Sequence, residues 1–468
     1  MAEKGIPSWP KVTIRLYDDH NAEVKIAGRS HPVNHHDPRQ AAIQLVSERA
    51  AQLGRPVKAT AVESDGASWP LIIHPDGQVE SVDADVKSSK PIWPIIVATV
   101  VAGVLIAATV IYLVVLRTPG DDVTEPTVSP KLPELPAPSV GPDQFAARPV
   151  PPGWTANASW TVDLNPDTAP AVSPNGKEVA IITPDEKIAV FDSTGKVLWQ
   201  DKVPRGAETP VYTTVDGKPV VAVVAPESLY YWAGDGAEAV ELDLPNSATV
   251  QFFGTSPLVV LSSEAGASVV SGGELKPLPT PQRLTTLLLA EGDRALSARY
   301  AGPLYWDQPG KDAVPVMPKL PKGATAIDHI VAASPGQALV IFDTKVAERV
   351  MPAVVDTRTG NVVALCPTVA PNEADGWQWV PDEAHKVAAW GECLINFARK
   401  TTTFSKDFEP LSITGMTVYG QSNSSLLVGT PGGKFRPLAA GTARPWGVAG
   451  THAIVVHDGV LYALDKPK

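Results

Sequence analysis

The sequence predicts a fold of three structured parts: a small α+β domain, one transmembrane helix, and a large all-β C-terminal region. Polar and apolar residues alternate before residue 90, an uncharged run spans Ile92 to Leu116, and short strand-and-turn patterns repeat after Trp154. Alternation indicates strands, whereas a long apolar run indicates a membrane helix. The predicted domains are 1–90 (α+β), 91–117 (transmembrane helix), 118–153 (proline-rich stalk) and 154–468 (all-β).

Composition excludes several classes of protein. The chain has 468 residues, a net charge of −11, 47 prolines and 36 glycines. This length predicts more than one domain, and so many prolines and glycines argue against a long helical bundle. The acidic balance argues against nucleic acid as a partner, since phosphate binding needs a basic surface. Two cysteines are too few for a four-cysteine zinc site.

The N-terminal domain is predicted as ββαβββ. Asp37 is a suitable helix cap, Pro38 suits the first helical position, and Gly54 suits the stop. The predicted strands are 11–17, 22–27, 57–63, 69–74 and 78–82. A domain this small has little room for a deep pocket, so we expect an interaction domain. Its histidines, including the neighbours His35 and His36, are expected to bind no metal.

The uncharged run at 92–116 is long enough, at about 1.5 Å per residue, to cross a hydrocarbon core of roughly 30 Å. Lys87 and Lys90 precede it and Arg117 follows, so the excess of positive charge favours a cytoplasmic N-terminus. The predicted location is therefore the cell membrane, single-pass, with an extracytoplasmic C-terminal domain and the lipid bilayer as a partner of 92–116. Small residues four apart, which permit a homodimer through this helix, are Ala98 and Ala102, and Gly103 and Ala107.

The stalk between Arg117 and Gly153 is rich in proline and has no hydrophobic periodicity. Such a segment favours an extended polyproline conformation of about 3.1 Å per residue. We expect it to separate the C-terminal domain from the bilayer.

The C-terminal region repeats a unit of short strands and Gly, Asp or Asn turns. The eight unit starts are Ala171, Val211, Val250, Leu287, Ile330, Gln378, Val418 and Trp446. A repeat of roughly 40–45 residues with several strands is typical of a β-propeller blade. Eight blades are counted, and a count of seven is the alternative because one unit is short. The last unit has only three strands, so the spare strand at 159–164 is predicted to complete it. The alternative is an open pair of β-sandwiches.

Three segments carry a family resemblance: Phe191–Trp199 (FDSTGKVLW), Val355–Val363 (VDTRTGNVV) and Leu461–Asp465 (LYALD). They resemble blades of the quinoprotein (PQQ-type) β-propeller superfamily, over residues 154–468. The resemblance implies the fold. Dehydrogenases of that superfamily need a calcium site, cofactor-stacking residues and a catalytic carboxylate, and none is located in this sequence. We therefore expect no catalytic, cofactor-binding or metal-binding residue.

Cys366 and Cys393 are the only cysteines and lie in adjacent repeat units. On the exported side of a membrane they would form a disulfide. The alternative is two separate buried thiols.

Two aromatic clusters are candidates for a partner surface: Trp377 with Trp379, and Tyr230 with Tyr231. Exposed aromatic residues commonly anchor protein partners. The alternative is packing between blades.

The expected function is non-enzymatic: a scaffold or adaptor in an envelope assembly, with protein partners on both sides of the membrane. One alternative is a transmembrane sensor that couples an outside ligand to a cytoplasmic regulator. Another is an exported hydrolase or oxidoreductase, although the sequence has no P-loop and no nucleophile elbow.

Overall fold

The structure is a computed structural model, and its elements are almost all strands. It describes residues 12–16, 21–26, 29–34, 38–62, 68–81, 137–234, 238–246, 248–261, 266–279, 285–374, 377–382, 384–423 and 425–468. Within these ranges there are 39 strands and two helices.

The N-terminal domain is one mixed sheet with a helix on one face. Its strands are β1 (Val12–Leu16), β2 (Asn21–Ile26), β3 (Arg29–Asn34), β4 (Val57–Val62), β5 (Ser68–Ile73) and β6 (Val79–Ser81), and its helix is α1 (Pro38–Leu53). The sheet order is β3-β2-β1-β4-β5-β6, and β1 and β4 are parallel. Ala42, Val46 and Ala50 of α1 pack on the buried side chains of the central strands. Helix residues spaced four apart therefore face strand residues spaced two apart, and together they form one apolar layer.

The order βββαβββ differs from the predicted ββαβββ by one strand. The additional strand, β3, pairs with β2 along its whole length, from Arg29 opposite Ile26 to Asn34 opposite Asn21. Its sequence, RSHPVN, contains a proline and no apolar alternation. Proline is compatible with an edge strand, and β3 lies at the edge of the sheet.

The predicted fold class, a small α+β domain, one transmembrane helix and a propeller, is wrong because it includes the transmembrane helix. In the ranges given above, no helix is both long enough and apolar enough to span a bilayer. α1 has 16 residues, or about 24 Å at 1.5 Å per residue, and α2 (Pro371–Ala374) has four. The run 92–116, on which the prediction depended, lies outside the described residues.

The predictions that depended on that helix are corrected with it. These are the single-pass location in the cell membrane with a cytoplasmic N-terminus and an extracytoplasmic C-terminal domain, the contact of 92–116 with lipid, and the homodimer through the helix. None has support in the structure, because the only helices described are α1 and α2.

The C-terminal region consists of eight sheets, counted over the described part of residues 141–464. Blades 1 to 4 contain β9 (Ala171–Val172), β10 (Glu178–Ile182), β11 (Lys187–Asp192) and β12 (Val197–Lys202); β13 (Val211–Val215), β14 (Lys218–Val224), β15 (Ser228–Trp232) and β16 (Val240–Asp243); β17 (Ala248–Gln251), β18 (Leu258–Leu261), β19 (Ala267–Ser271) and β20 (Glu274–Pro277); and β21 (Thr285–Glu291), β22 (Arg294–Arg299), β23 (Leu304–Asp307) and β24 (Val314–Val316).

Blades 5 to 8 complete the set. They contain β25 (Ala324–Ser334), β26 (Gln337–Thr344), β27 (Val350–Asp356) and β28 (Val362–Leu365); β29 (Trp379–Pro381), β30 (Val387–Trp390), β31 (Cys393–Asn396) and β32 (Thr401–Phe404); β33 (Glu409–Thr414), β34 (Thr417–Ser422), β35 (Ser425–Gly429) and β36 (Arg436–Pro437); and β37 (Gly447–Ala449), β38 (His452–His457) and β39 (Val460–Leu464), with β8 (Asn157–Asp163) and β7 (Gly141–Gln144). Blades 1 to 7 are antiparallel meanders, and blade 8 is an antiparallel sheet that combines strands from both ends of the region, so the C-terminal region is a β-propeller.

Consecutive blades share apolar cores. Ile188 and Trp199 of blade 1 pack with Val221 and Trp232 of blade 2, for example. Equivalent clusters join blades 4 and 5 and blades 5 and 6. A single four-stranded sheet leaves two faces open to water, and stacking it between two neighbours buries both.

The last blade is completed by the strand that precedes the first. β8 pairs with β39, placing Val162 opposite Leu461, and β7 pairs with β8 as a fifth strand. This confirms the prediction that the spare strand near 159–164 completes the last unit. β7 comes from residues that the sequence prediction assigned to the stalk. Trp160 of β8 packs in the core shared by blades 8 and 1.

We expect Trp160→Ala to lower the free energy of unfolding by about 3–5 kcal/mol, the usual cost of removing a buried aromatic side chain. The Trp160 side chain is 1% exposed, stacks on Phe191 with centroids 5.6 Å apart, and donates from Nε1 to the Ser193 carbonyl oxygen. Urea unfolding of the full chain measures the change. Trp69→Ala is the matched control, because Trp69 is 58% exposed and should cost under 1 kcal/mol. Equal losses would contradict the proposed role of β8.

Candidate interaction surfaces

The predicted disulfide is confirmed. Cys366, directly after β28 of blade 5, is bonded to Cys393, the first residue of β31 in blade 6, with Cα atoms 6.1 Å apart. Both cysteines are buried in the core between these two blades. The bond therefore covalently links two neighbouring blades.

Replacing both cysteines by serine should lower the free energy of unfolding by about 3–4 kcal/mol, the loop-closure value for a sequence separation of 27. The measurement is urea unfolding with and without reductant. Reductant should lower the stability of the wild type but leave the double variant unchanged. A wild type that does not respond to reductant under unfolding conditions would contradict the expectation.

The four aromatic residues predicted as a partner surface all have packing partners within the chain. Tyr231 is buried between blades 2 and 3. Tyr230 stacks on Trp232, and its hydroxyl donates to Glu241. Trp377 meets Trp390 edge-on at 4.9 Å. These contacts match the packing alternative.

Trp379 lies 6.2 Å from Phe397, between ring centroids, and belongs to the rim of the core between blades 5 and 6. A partner role for Trp377, Trp379, Tyr230 and Tyr231 stays a prediction. The more exposed aromatic and aliphatic residues lie elsewhere, as described below.

A loop of blade 3 contacts the first strands of both neighbouring blades. The loop joins β17 to β18, and its Thr255 carbonyl oxygen accepts the Thr214 amide of blade 2 at 2.8 Å. Its Ser256 amide donates to the Ala290 carbonyl oxygen of blade 4, and Ser256 Oγ accepts from the Gly292 amide at 2.8 Å. A Cβ at Gly254 would lie 1.9 Å from the Ala290 carbonyl oxygen. Glycine is therefore required for this close approach.

His385 extends the same contact to blade 6. It lies in the turn between β29 and β30 and makes a hydrogen bond to the Gly254 main chain. Burial lowers the pKa of the imidazole, although that hydrogen bond and the charge of Glu291 oppose the effect. Since a buried imidazolium is costly, the side chain is neutral near pH 7.

This burial predicts a pH dependence of stability. The pKa of His385 in the folded protein is below its unfolded value of roughly 6.5, so burial of the neutral imidazole does not reduce stability above that pH. As the pH falls below the unfolded pKa, the unfolded chain binds the proton first, and the folded protein loses stability. His385→Asn should therefore lose less stability than the wild type between pH 7.5 and 5.5. Urea midpoints at the two pH values measure the difference, and parallel losses would contradict it.

Three carboxylates accept hydrogen bonds from main-chain amides of the next blade. Asp216 accepts from the Gly272 amide, Glu291 Oε1 from the Gly336 amide at 2.7 Å, and Asp382 Oδ1 from the Gly415 amide at 2.9 Å. Each lies in or next to the turn between the first two strands of its blade. Burial raises the pKa of Asp382, and its backbone hydrogen bonds partly offset this. These acidic groups therefore hold neighbouring blades in register.

The junction of blades 4 and 5 exposes an apolar ridge, defined here as Tyr300, Met317, Leu320 and Val346. Their exposed fractions are 70%, 58%, 52% and 65%. Tyr300 stacks on His329 with centroids 5.4 Å apart. Met317 and Ile327 both lie beside Gly302, which follows Tyr300 by two residues. The Lys345 amide donates to the Gly323 carbonyl oxygen, bringing the Val346 loop close to the Leu320 segment.

A small pocket lies at the same junction of blades 4 and 5, but at the opposite end of β22 from Tyr300, because Arg294 begins that strand and Tyr300 follows it. The Trp306 pocket, as we name it, has a volume of about 280 Å³ and is lined by Arg294, Trp306, Gln308, Lys311, Asp312, Val314, Val316 and Arg358. Trp306 Nε1 donates to the Thr357 carbonyl oxygen at 2.9 Å, which fixes the ring between blades 4 and 5. The Arg294 guanidinium lies 4.0 Å from the ring centroid. Such stacking is favourable between a cation and an aromatic face.

No group of three or more His, Cys, Asp and Glu side chains within the described ranges is arranged to hold a metal ion.

Comparisons with known proteins identify no family. No protein-family model matches the chain, and no curated protein matches it significantly. Solved β-propellers resemble it distantly. The β-propeller domain of Cps50 (Swd1) from Myceliophteria thermophila is 10% identical, covers 64% of this chain and 96% of its own, and gives a TM-score of 0.32. The WD40 domain of SCAP from fission yeast is 10% identical with coverages of 64% and 91% and a TM-score of 0.36.

BamB from Moraxella catarrhalis is 11% identical, with coverages of 62% and 97% and a TM-score of 0.29. A propeller is also what the repeats in the sequence predict. The assignment itself rests on the sheet order and the blade-to-blade cores described above.

Proposed function

We propose that the protein is a non-enzymatic scaffold whose propeller binds a protein partner through the blade 4–5 ridge. The observation that carries this proposal is the exposure of four large apolar side chains, each more than half accessible, at one blade junction. Single exposed apolar residues are ordinary, whereas a group of them is typical of an interaction site.

The construction of the ridge supports a binding role. Tyr300 is held by stacking on His329, and its carbonyl oxygen accepts the Ile330 amide at 2.9 Å. An aromatic ring held in place loses little conformational entropy when a partner covers it. Tyr is also enriched where binding energy is concentrated.

Blade 5 differs from the other blades at this junction. Its first strand, β25, has 11 residues, against two to seven in the first strands of the other blades. The half of β25 that begins at Ala324 is accessible, and only Ala333 and Ser334 are buried. The long hairpin carries His329 to Tyr300 of the ridge, and Ile327 of the same strand packs at the edge of the core between blades 4 and 5.

The N-terminal domain offers a separate exposed aromatic residue. Trp69 of β5 is largely accessible, and Val79 of β6 is partly so. A second partner on this domain, consistent with an adaptor, follows from the same reasoning about exposed apolar groups. The small size of the domain favours docking over catalysis.

Tyr300→Ser combined with Met317→Ser should weaken binding of the partner at least tenfold, because the aromatic and thioether contacts that the partner would bury in the complex would be lost. The partner is first identified by cross-linking and affinity purification from cells that express the full chain, and its affinity is then measured with purified proteins. Leu198→Ser on blade 1 is the matched control, since Leu198 is also exposed. The proposal fails if the ridge variant retains its affinity, or if Leu198→Ser loses as much.

A further inference from the structure

We propose that the Trp306 pocket binds a carboxylate side chain from an acidic segment of the protein partner. This inference rests on the proposed scaffold function and specifies the chemistry of the partner. It starts from the charge of the pocket, whose lining contains three cations, Arg294, Lys311 and Arg358, and a single carboxylate, Asp312. The chain as a whole has a net charge of −11, whereas the net charge of the pocket lining is positive.

The carboxylate nearest the two arginines is already engaged. Glu291 accepts the Gly336 amide through Oε1 and the Arg294 guanidinium through Oε2 at 3.0 Å. Arg358 lies 3.7 Å from the same Oε2 and is 65% exposed. Glu291 is only 11% exposed, so it lies beneath the pocket and positions the cations. The guanidinium of Arg358 retains an accessible face, with N–H donors directed by its planar geometry.

Lys311 supplies the second accessible cation. Its Nζ donates to Gln308 Oε1 at 3.0 Å, and Gln308 Nε2 donates to Asp293 Oδ2 at 2.6 Å. This chain of hydrogen bonds orients the ammonium group at the rim of the pocket. An ammonium and a guanidinium on one small cavity are suited to a single carboxylate, which accepts charge-assisted hydrogen bonds from both.

The size and the walls of the pocket narrow the ligand further. About 280 Å³ is at the lower limit for small-molecule pockets, which usually run from roughly 300 to 1,000 Å³. It accommodates one acidic side chain rather than a nucleotide or a large cofactor. Val314 and Val316 form an apolar wall of the pocket, and Val314 is 59% exposed. The expected partner segment therefore has Asp or Glu next to an apolar residue.

The test selects binders for the intact protein from a random library of 12-residue peptides displayed on phage. Peptides with Asp or Glu beside an apolar residue should be enriched. Synthetic copies should bind roughly tenfold more weakly to Arg358→Gln or Lys311→Gln, and Arg358→Glu should select basic peptides instead. Lys177→Gln on blade 1 is the matched control and should bind as the wild type does, since Lys177 is an exposed cation away from the pocket.

The other outcomes separate this inference from the scaffold proposal. Enriched peptides without acidic residues, whose binding is lost in Tyr300→Ser but kept in the pocket variants, would overturn the inference and leave the scaffold proposal standing. Inorganic phosphate at matched ionic strength that saturates the pocket with the affinity of the peptide would assign it to small anions and also overturn the inference. A library that yields no enriched sequence would count against both.

Discussion

The pairing of β8 with β39 is the constraint on which the propeller depends. Blade 8 has three strands of its own, and the fourth comes from residues that precede blade 1 in the chain. Until this pair forms, the apolar core shared by blades 8 and 1, which includes Trp160 and Phe191, is exposed to water. Neighbouring blades each bury one face on the next, so an open end leaves two unpaired faces instead of none. Loop-closure entropy opposes this long-range pairing, and the hydrophobic gain must exceed it.

The sequence was informative where repetition and local chemistry agree. Six of the eight predicted unit starts lie within two residues of the position at which the first strand of a blade begins. The other two differ for physical reasons. Ile330 lies in the middle of β25, because the first half of that strand is partly exposed and contains register shifts that break its alternation. Val418 lies in β34, the second strand of blade 7, because β33 contains a proline and a bulge at Pro410 and Ser412 that break its alternation. The apparent short unit is therefore a missed strand.

The candidate binding surface was much harder to predict. Arg294 and Arg358 are far apart in the sequence, and only the contact between blades 4 and 5 brings them to the same Glu291. In the sequence, Trp306 belongs to a strand motif, and nothing there indicates that a guanidinium covers its ring. The aromatic pairs that were selected instead, Trp377 with Trp379 and Tyr230 with Tyr231, lie among residues that pack between blades. Neighbouring aromatic residues in a strand mostly report burial, whereas exposure depends on tertiary contacts.

The hydrogen-bonded carboxylates at the turns between the first two strands of the blades are related to the exposed side chains at the junction of blades 4 and 5. Asp216, Glu291 and Asp382 use their carboxylates to hold adjacent blades, and the blade 3 loop with His385 adds contacts across several blades. Such contacts fix the framework in the free protein, and a preorganised site loses less conformational entropy on binding. Glu291 takes part in both roles, since one oxygen accepts the Gly336 amide and the other positions Arg294 and Arg358. The same carboxylate that fixes the spacing of blades 4 and 5 thereby positions both guanidinium groups, of which that of Arg358 is accessible to solvent. A rigid display of charge beside apolar side chains is what recognition of a short acidic and apolar segment requires.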